Sequence, residues 1–146
     1  MKLKNFLPEQ AIKLDVEVDS WESSIYEAGN LLVKTKKATP SYIGAMIESV
    51  KTIGPYIVVA PGIAMPHANS ASGVLATGFS LITLHRPVNF GNKKNDPVSI
   101  VICLCAKDNQ KHIAALAELA KLFGTDEIVE KVKNAKTSND ILRLLN

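Results

Sequence analysis

The chain has 146 residues, of which 47% are hydrophobic and 21% are charged, a length and composition typical of one globular domain with its own core. Its 17 basic and 14 acidic side chains give a formal net charge of +3, an excess too small and too dispersed to indicate a nucleic-acid binder. No apolar stretch approaches the roughly 20 residues that span a bilayer, and the N-terminal MKLKNFLPEQ lacks the apolar core of a signal peptide. We therefore predict a single cytoplasmic domain over residues 1–146, with no membrane insertion.

Two amphipathic helices are predicted in the first third of the chain. Asp19–Ser20 supplies good N-cap residues for the first helix. Thr39–Pro40 is a typical start for the second, which Gly54–Pro55 ends. The apolar residues fall at helical spacing and predict one buried stripe on each helix: Trp21, Ile25, Ala28 and Leu32 on the first, and Ile43, Met46, Ile47 and Val50 on the second.

The segment YIVVAPGIAMPHA follows at residues 56–68. Its apolar run Tyr56–Val59 predicts a buried strand, and a second short apolar piece, Ile63–Met65, leads into Pro66 and His67. Proline fixes its own φ and has no N–H group, so this histidine is predicted to be held firmly at a strand end that a partner can reach. An imidazole held in this way is a candidate nucleophile or base. A turn histidine bonded to nearby backbone is the alternative.

The second half of the chain predicts the centre of a sheet and three helices. Gly78–Leu84 and Val98–Cys105 are apolar at both alternating sets of positions, as in strands covered on both faces, and the polar Asn69–Gly73 is predicted to be an exposed loop. Helices should begin at Asp108 or Asn109, at Thr125–Asp126, and at Thr137 or Ser138. The first of them is predicted to bury the stripe Ile113, Leu116, Ala120 and Phe123. This order of elements predicts an α/β fold, a sheet flanked by helices on both faces.

The common motifs for cofactor and metal chemistry are absent from the sequence. It contains no GxxxxGK[ST], GxGxxG, HExxH or GxSxG pattern. Cys103 and Cys105 lie two residues apart in a predicted strand, a spacing that suits neither a redox pair nor a metal site, so we expect them to be buried as apolar residues. No cofactor and no metal are expected.

The three histidines differ in their surroundings. His112 lies in the first turn of the helix after a buried strand, where free N–H groups and the positive end of the helix dipole favour anions such as phosphate. If that strand lies beside the one that leads to His67, both imidazoles meet at one edge of the sheet and form a plausible phosphoryl site. The alternative for His112 is a surface residue in a polar first turn. His85 is expected to be an exposed strand-end residue with no link to the other two.

The residues around His67 carry a resemblance to a known family. Ile63–Ala68, IAMPHA, is similar to the active-site signature of the mannitol/fructose-type enzyme IIA domains of the bacterial phosphoenolpyruvate-dependent sugar phosphotransferase system. The longer GPYIVVAPGIAMPHA at Gly54–Ala68, together with TGFSLITL and the turn Asn95–Val98, resembles more closely the ascorbate-specific IIA subgroup. The likeness covers essentially the whole chain.

This resemblance implies a mixed β-sheet flanked by helices and a phosphotransferase component that works through a phosphohistidine. His67 would accept a phosphoryl group on Nε2 from the phosphocarrier HPr and pass it to a cysteine of an enzyme IIB, with a IIC permease downstream and ascorbate as the sugar. His112 would match the family's second histidine and would neutralise and orient the phosphoryl group. Lys51 stands, by ungapped count, where mannitol-type members have an arginine, and its part is left open. Thr52 stands where the signature favours an acidic or amide residue and is left out of the site.

An apolar docking face is expected around the site, because it would shield the phosphoryl group from water during transfer. Met65, Ala68 and Ile113 are the candidates, and an ordinary core position is the alternative for each of them.

Three other functions remain as alternatives. The first is a regulatory, nitrogen-type IIA-like protein whose phosphorylation state controls a partner. The second is a metal-dependent hydrolase that uses His67, His112 and a carboxylate such as Asp108. The third is an interaction domain without chemistry, which would leave the rigid presentation of His67 unexplained.

Overall fold

The computed structural model describes residues 2–145, which form one mixed β-sheet with helices packed on it. The strands in chain order are β1 (Ile12–Val16), β2 (Val58–Ala60), β3 (Ile63–Ala64), β4 (Gly78–Val88) and β5 (Val98–Cys105). Their order in the sheet is β1-β4-β5-β3-β2. The pairs β1–β4 and β3–β5 are parallel, whereas β4–β5 and β2–β3 are antiparallel. The predicted α/β fold with a mixed sheet is confirmed.

The helices begin where the sequence predicts them. They are α1 (Trp21–Lys34), α2 (Pro40–Ile53), α3 (Asn109–Leu122), α4 (Asp126–Lys133) and α5 (Ser138–Leu144). Ser20, Asp108 and Thr137 act as N-caps, since the side chain of each accepts a hydrogen bond from a backbone N–H in the first turn of its helix. Short 3-10 turns lie at Leu3–Asn5, Glu9–Ala11 and Ser70–Ser72. No helix within residues 2–145 has the length and apolar character needed to cross a membrane.

The centre of the sheet is covered on both faces. Every residue of β5 except Ser99 is buried, and so are the seven residues of β4 from Gly78 to Leu84, so both alternating sets of side chains pack against other elements. Helix α1 packs on β4 and β5, and α2 packs on α1. Helices α3 and α4 contact β5, and α5 contacts β1. The Ser80 hydroxyl, fully buried in β4, donates to the Ala28 carbonyl of α1 at 2.6 Å.

Strand β1 was not among the predicted elements, although Ile12, Leu14 and Val16 alternate in the way that indicates a strand. Its parallel pairing with β4 makes it one edge of the sheet. The strand predicted at Tyr56–Val59 is displaced and only partly buried. The structure has β2 at Val58–Ala60, the other edge of the sheet, and Val59 keeps 47% of its surface exposed.

Two further predictions need correction. Strand β4 continues past Leu84 to Val88, and its residues from His85 to Pro87 are exposed, because this end of the strand extends beyond the core. The buried side of α3 is formed by Ala115 and Leu119, with Phe123 at the C-cap. Ile113 is 67% exposed and Ala120 is also exposed, so the stripe predicted for this helix was set partly on the wrong face.

The two cysteines are fully buried, as predicted. Burial raises the pKa of Cys105 to about 11 and also raises the pKa of Cys103. Since the thiolate is the reactive form of cysteine, both side chains are held in an inert state in the folded protein.

We therefore expect neither thiol to react with Ellman's reagent at pH 8 in the native protein, and two thiols per chain to react at once after unfolding in urea. The time course of absorbance gives both numbers. A rapid reaction of one thiol in the native protein would contradict the burial described here.

Candidate active site

Backbone hydrogen bonds fix the chain on the way to His67. Strand β3 ends at Ala64, and Met65 donates its N–H to the carbonyl of Ile57 at 2.8 Å. Pro66, which has no N–H, accepts a hydrogen bond at its carbonyl from the N–H of Leu104 in β5, at 3.0 Å. The residues before the histidine are thus bonded to one neighbouring segment on each side. The sequence predicts that His67 is held firmly, and these bonds would hold it so.

Tyr42 of α2 fixes the chain just after His67, and sequence reasoning did not identify this residue as part of the site. Its hydroxyl donates to the Leu104 carbonyl at 2.6 Å and accepts from the Ala68 N–H at 3.0 Å. The side chain is buried, and burial raises the pKa of Tyr42, so the hydroxyl keeps the proton that it donates. One side chain therefore joins α2, the end of β5 and the segment that carries His67.

Among the described residues, the imidazole of His67 has a hydrogen-bond partner at Nδ1 and none at Nε2. Its Nδ1 lies 2.8 Å from the carbonyl oxygen of Met65. A carbonyl oxygen only accepts hydrogen bonds, so Nδ1 carries the proton and Nε2 keeps an unshared electron pair. The ring is half-buried. This geometry prepares Nε2 for nucleophilic attack or for proton transfer.

The structure brings His112 to His67. Strands β3 and β5 are parallel neighbours, so the segments that leave them reach the same edge of the sheet. The centroids of the two imidazoles lie 4.9 Å apart, with the ring planes at 77°. His112 lies in the first turn of α3, whose N-cap is Asp108. Burial lowers the pKa of His112, and the nearby His67 lowers it further, so the environment favours the uncharged imidazole in the protein without a phosphoryl group.

The two histidines line an open cleft of about 380 Å³. Its remaining walls come from the end of α2, the segments around His67 and the start of α3: Ser49, Ile53, Tyr56, Ala68, Asn69, Ser70, Ala106, Asp108, Asn109 and Ile113. Among the described residues that line the cleft, Asp108 carries a charge and none is a lysine or an arginine. The cleft is therefore a site where an anion would depend on neutral hydrogen-bond donors and on His112.

Exposed apolar side chains surround the opening of the cleft. Ile53 and Ile113 are 71% and 67% exposed, and Tyr56 is 44% exposed. Among the residues predicted for a docking face, Ile113 lies there and Ala68 is partly buried, but Met65 is buried in the core. For Met65 the alternative of a core position holds, because its side chain belongs to the hydrophobic core while its carbonyl accepts a hydrogen bond from His67.

The other residues considered from the sequence lie outside the cleft. His85 is exposed in β4, and its Nδ1 lies 2.8 Å from Asp15 Oδ1. Lys51 and Thr52 are exposed near the end of α2, and the Thr52 hydroxyl donates to the carbonyl of Glu48 in its own helix. Across residues 2–145, no three His, Cys, Asp or Glu side chains gather in a way that would hold a metal ion.

Comparisons with known proteins agree on one family. Residues 5–146 match the family model described as phosphoenolpyruvate-dependent sugar phosphotransferase system, EIIA 2. The ascorbate-specific PTS system EIIA component of Escherichia coli K12 is 36% identical over 147 aligned positions, covering 99% of this chain and 96% of that protein.

Solved structures show the same fold. The solution structure of the mannitol-specific cryptic phosphotransferase enzyme IIA CmtB of Escherichia coli has a TM-score of 0.89 at 33% identity, with 99% of this chain and 98% of that chain covered. The enzyme IIA in the Escherichia coli complex of IIAMtl with phosphorylated IIBMtl has a TM-score of 0.85 at 26% identity, with 94% and 95% covered.

The lowered pKa of His112 predicts a pH effect on stability. The unfolded chain binds a proton at this imidazole below about pH 6.5, whereas the folded chain resists protonation there. The free energy of unfolding should therefore fall as the pH is lowered from 7.5 to 5.5, and it should fall less in His112→Gln. Urea unfolding at several pH values measures both slopes, and equal slopes in the two proteins would show that His112 is not perturbed.

Proposed function

The chain belongs to the EIIA 2 family of the phosphoenolpyruvate-dependent sugar phosphotransferase system, and on this basis we propose that it carries a phosphoryl group on His67 Nε2. The donor is the phosphocarrier HPr, and the acceptor is a cysteine of an enzyme IIB. The observation that carries the proposal is the hydrogen bond of Nδ1 to the Met65 carbonyl at 2.8 Å, which leaves Nε2 as the free nucleophile beside an open cleft.

The transfer is an exchange of one N–P bond for another. The electron pair of His67 Nε2 attacks the phosphorus of the phosphohistidine donor, the bond from phosphorus to the donor nitrogen breaks, and that nitrogen leaves with its electron pair. The Nδ1 proton stays on the ring throughout. As the ring becomes N-phosphorylated it gains positive character, and the Met65 carbonyl that accepts from Nδ1 stabilises it. The step as proposed uses no metal, because the donor is already an activated phosphoimidazole.

Positioning and charge stabilisation account for most catalysis of phosphoryl transfer. His112 is placed for this role, since its ring lies 4.9 Å from that of His67 and belongs to the first turn of α3. The positive end of the helix dipole lies at the same place and favours an anion. His112 would orient the phosphoryl oxygens by donating a hydrogen bond, and the phosphoryl anion would itself favour the protonated imidazole, which then offsets part of the negative charge.

The surface around the cleft is suited to docking another protein. Ile53, Tyr56 and Ile113 form an exposed apolar rim around the two histidines, as a face that excludes water during transfer would require. A relative that is 26% identical is known in complex with a phosphorylated enzyme IIB. That complex supports a IIB protein as the acceptor for this chain as well.

For the transported sugar we propose ascorbate, with a separate IIC permease performing the membrane step while this chain acts in the cytoplasm. The support is the full-length relative at 36% identity, which is named ascorbate-specific, and the sequence GPYIVVAPGIAMPHA around the site. A relative named mannitol-specific is 33% identical, so overall identity separates the two sugars poorly. The IIB partner that accepts the phosphoryl group is the property that would distinguish them. Preferential transfer from the phosphorylated chain to an ascorbate-type IIB over a mannitol-type IIB would support ascorbate.

The proposal predicts the behaviour of three histidine variants. With labelled phosphoenolpyruvate, enzyme I and HPr, His67→Ala should accept no label. His112→Ala should accept label more slowly, by about 10²–10³, the loss typical of removing one anion stabiliser. His85→Ala is the matched control and should behave as wild type, because His85 lies outside the cleft. Full labelling of His67→Ala would refute the proposal.

The exposed rim predicts an effect on docking. Replacing Ile113 by Asp should raise the KM for phospho-HPr at least about fivefold, the equivalent of about 1 kcal/mol of contact energy, with a smaller change in kcat. Leu75→Asp is the control, since Leu75 is 52% exposed but does not line the cleft. Equal KM values for the two variants would place the docking face elsewhere.

A further inference from the structure

A phosphoryl group on His67 would bring several negative oxygens into the cleft, and side-chain donors other than His112 could stabilise them. This inference rests on the proposed function, in which His67 carries a phosphoryl group with several negative oxygens. The described wall of the cleft contains no lysine or arginine, and its one charged side chain is the acidic Asp108. Helix α2 sends Ser49 and Ile53 into the cleft, while Lys51 stays outside it.

Ser49 and Tyr56 form a hydroxyl pair on this wall. The Ser49 Oγ and the Tyr56 hydroxyl lie 3.0 Å apart. Two hydroxyls supply two protons, and the bond between them uses one, so one O–H remains whichever of the two residues donates. Neither hydroxyl makes another hydrogen bond to any residue between 2 and 145. The pair therefore presents a spare donor in a cleft that a phosphoryl group would enter.

Ring packing places the hydroxyl pair beside His67. The Tyr56 ring meets the His67 ring edge to face, with centroids 5.7 Å apart and planes at 87°. Ser49 is partly buried on α2, and its hydrogen bond to the Tyr56 hydroxyl restrains the outer end of the tyrosine side chain. Ser70 also lines the cleft but lies in an exposed turn, and its side chain makes no hydrogen bond within residues 2–145. A pre-positioned donor is worth more to a developing anion than a mobile one.

We infer that the Ser49–Tyr56 hydroxyl pair donates a hydrogen bond to a phosphoryl oxygen on His67 Nε2. The pair thereby serves in this chain as a neutral substitute for a cationic side chain. One of the two hydroxyls touches the phosphoryl group, and the other orients it. No proton is transferred, since a hydroxyl and the phosphoryl anion share the proton only as a hydrogen bond.

The test uses Tyr56→Phe, Ser49→Ala and the double variant in the full chain. Tyr56→Phe keeps the ring against His67, and Ser49→Ala places a better helix former in α2, so thermal unfolding should match wild type. A hydrogen bond to a charged group is worth enough that the variant lacking the direct donor should accept label about tenfold or more slowly. The double variant should be no slower than the slower single variant, because the pair acts as a unit.

Two further measurements separate contact with the phosphoryl group from a structural role. The ³¹P resonance of the phosphohistidine should shift in the variant that lacks the direct donor, and the phosphorylated form of that variant should hydrolyse at a changed rate. Thr52→Ala is the matched control, because the Thr52 hydroxyl lies on the same helix but donates to Glu48, and it should match wild type in every assay.

The outcomes distinguish this inference from the proposed function. If wild type is labelled on His67 and both single variants accept label at the wild-type rate, the hydroxyl pair has no such role and the phosphoryl carrier still stands. The hydroxyl pair is likewise refuted, and the carrier still stands, if the rate losses of the two single variants multiply in the double variant. It is also refuted if Ser70→Ala is the one variant that slows the transfer. If wild type takes no label on His67, both the carrier and the hydroxyl pair are refuted.

Discussion

The hydrogen bond between His67 Nδ1 and the carbonyl of Met65, at 2.8 Å, determines what this site can do. It assigns the ring proton to Nδ1 and leaves Nε2 as the reactive nitrogen. The bond spans only two residues, so it forms only when the backbone between them is held in one conformation. Pro66 restricts that backbone, and its carbonyl is tied to Leu104 in the neighbouring strand. The chemistry of the imidazole is thus a consequence of how its backbone is fixed.

The remainder of the fold serves to hold that backbone and to bring a second imidazole to it. Strand β3 has only two residues, too few to be stable alone, and it persists because it pairs with β2 on one side and with β5 on the other. Its parallel pairing with β5 brings His112 to the same sheet edge. The buried hydroxyl of Tyr42 then joins Ala68 to Leu104, so that the segment carrying His67 is fixed after the histidine as well as before it.

The local sequence was sufficient to predict the helix starts and the central strands, because short-range patterns determine both. The helix starts followed from their capping residues, and the central strands followed from runs that are apolar at both alternating positions. Strand β1 could have been found, since Ile12, Leu14 and Val16 alternate as in a strand. The stripe of α3 failed because Ile113 is apolar yet exposed at the mouth of the cleft. An apolar residue that serves a surface cannot be separated by periodicity from one that serves the core.

The residues around the two histidines could not be predicted from the sequence, because their contacts join separate elements of the fold. Tyr42 bonds to groups that lie 26 and 62 positions away in the chain, and Ser49 reaches Tyr56 only because α2 ends beside the strand segment. No local pattern marks such contacts.

The proposed chemistry depends on the tautomer of His67, which ¹⁵N NMR of the ring nitrogens reports directly. At a pH where the ring is neutral, we expect Nδ1 to have the shift of a protonated nitrogen and Nε2 that of an unprotonated one, whereas the reverse assignment would contradict the account.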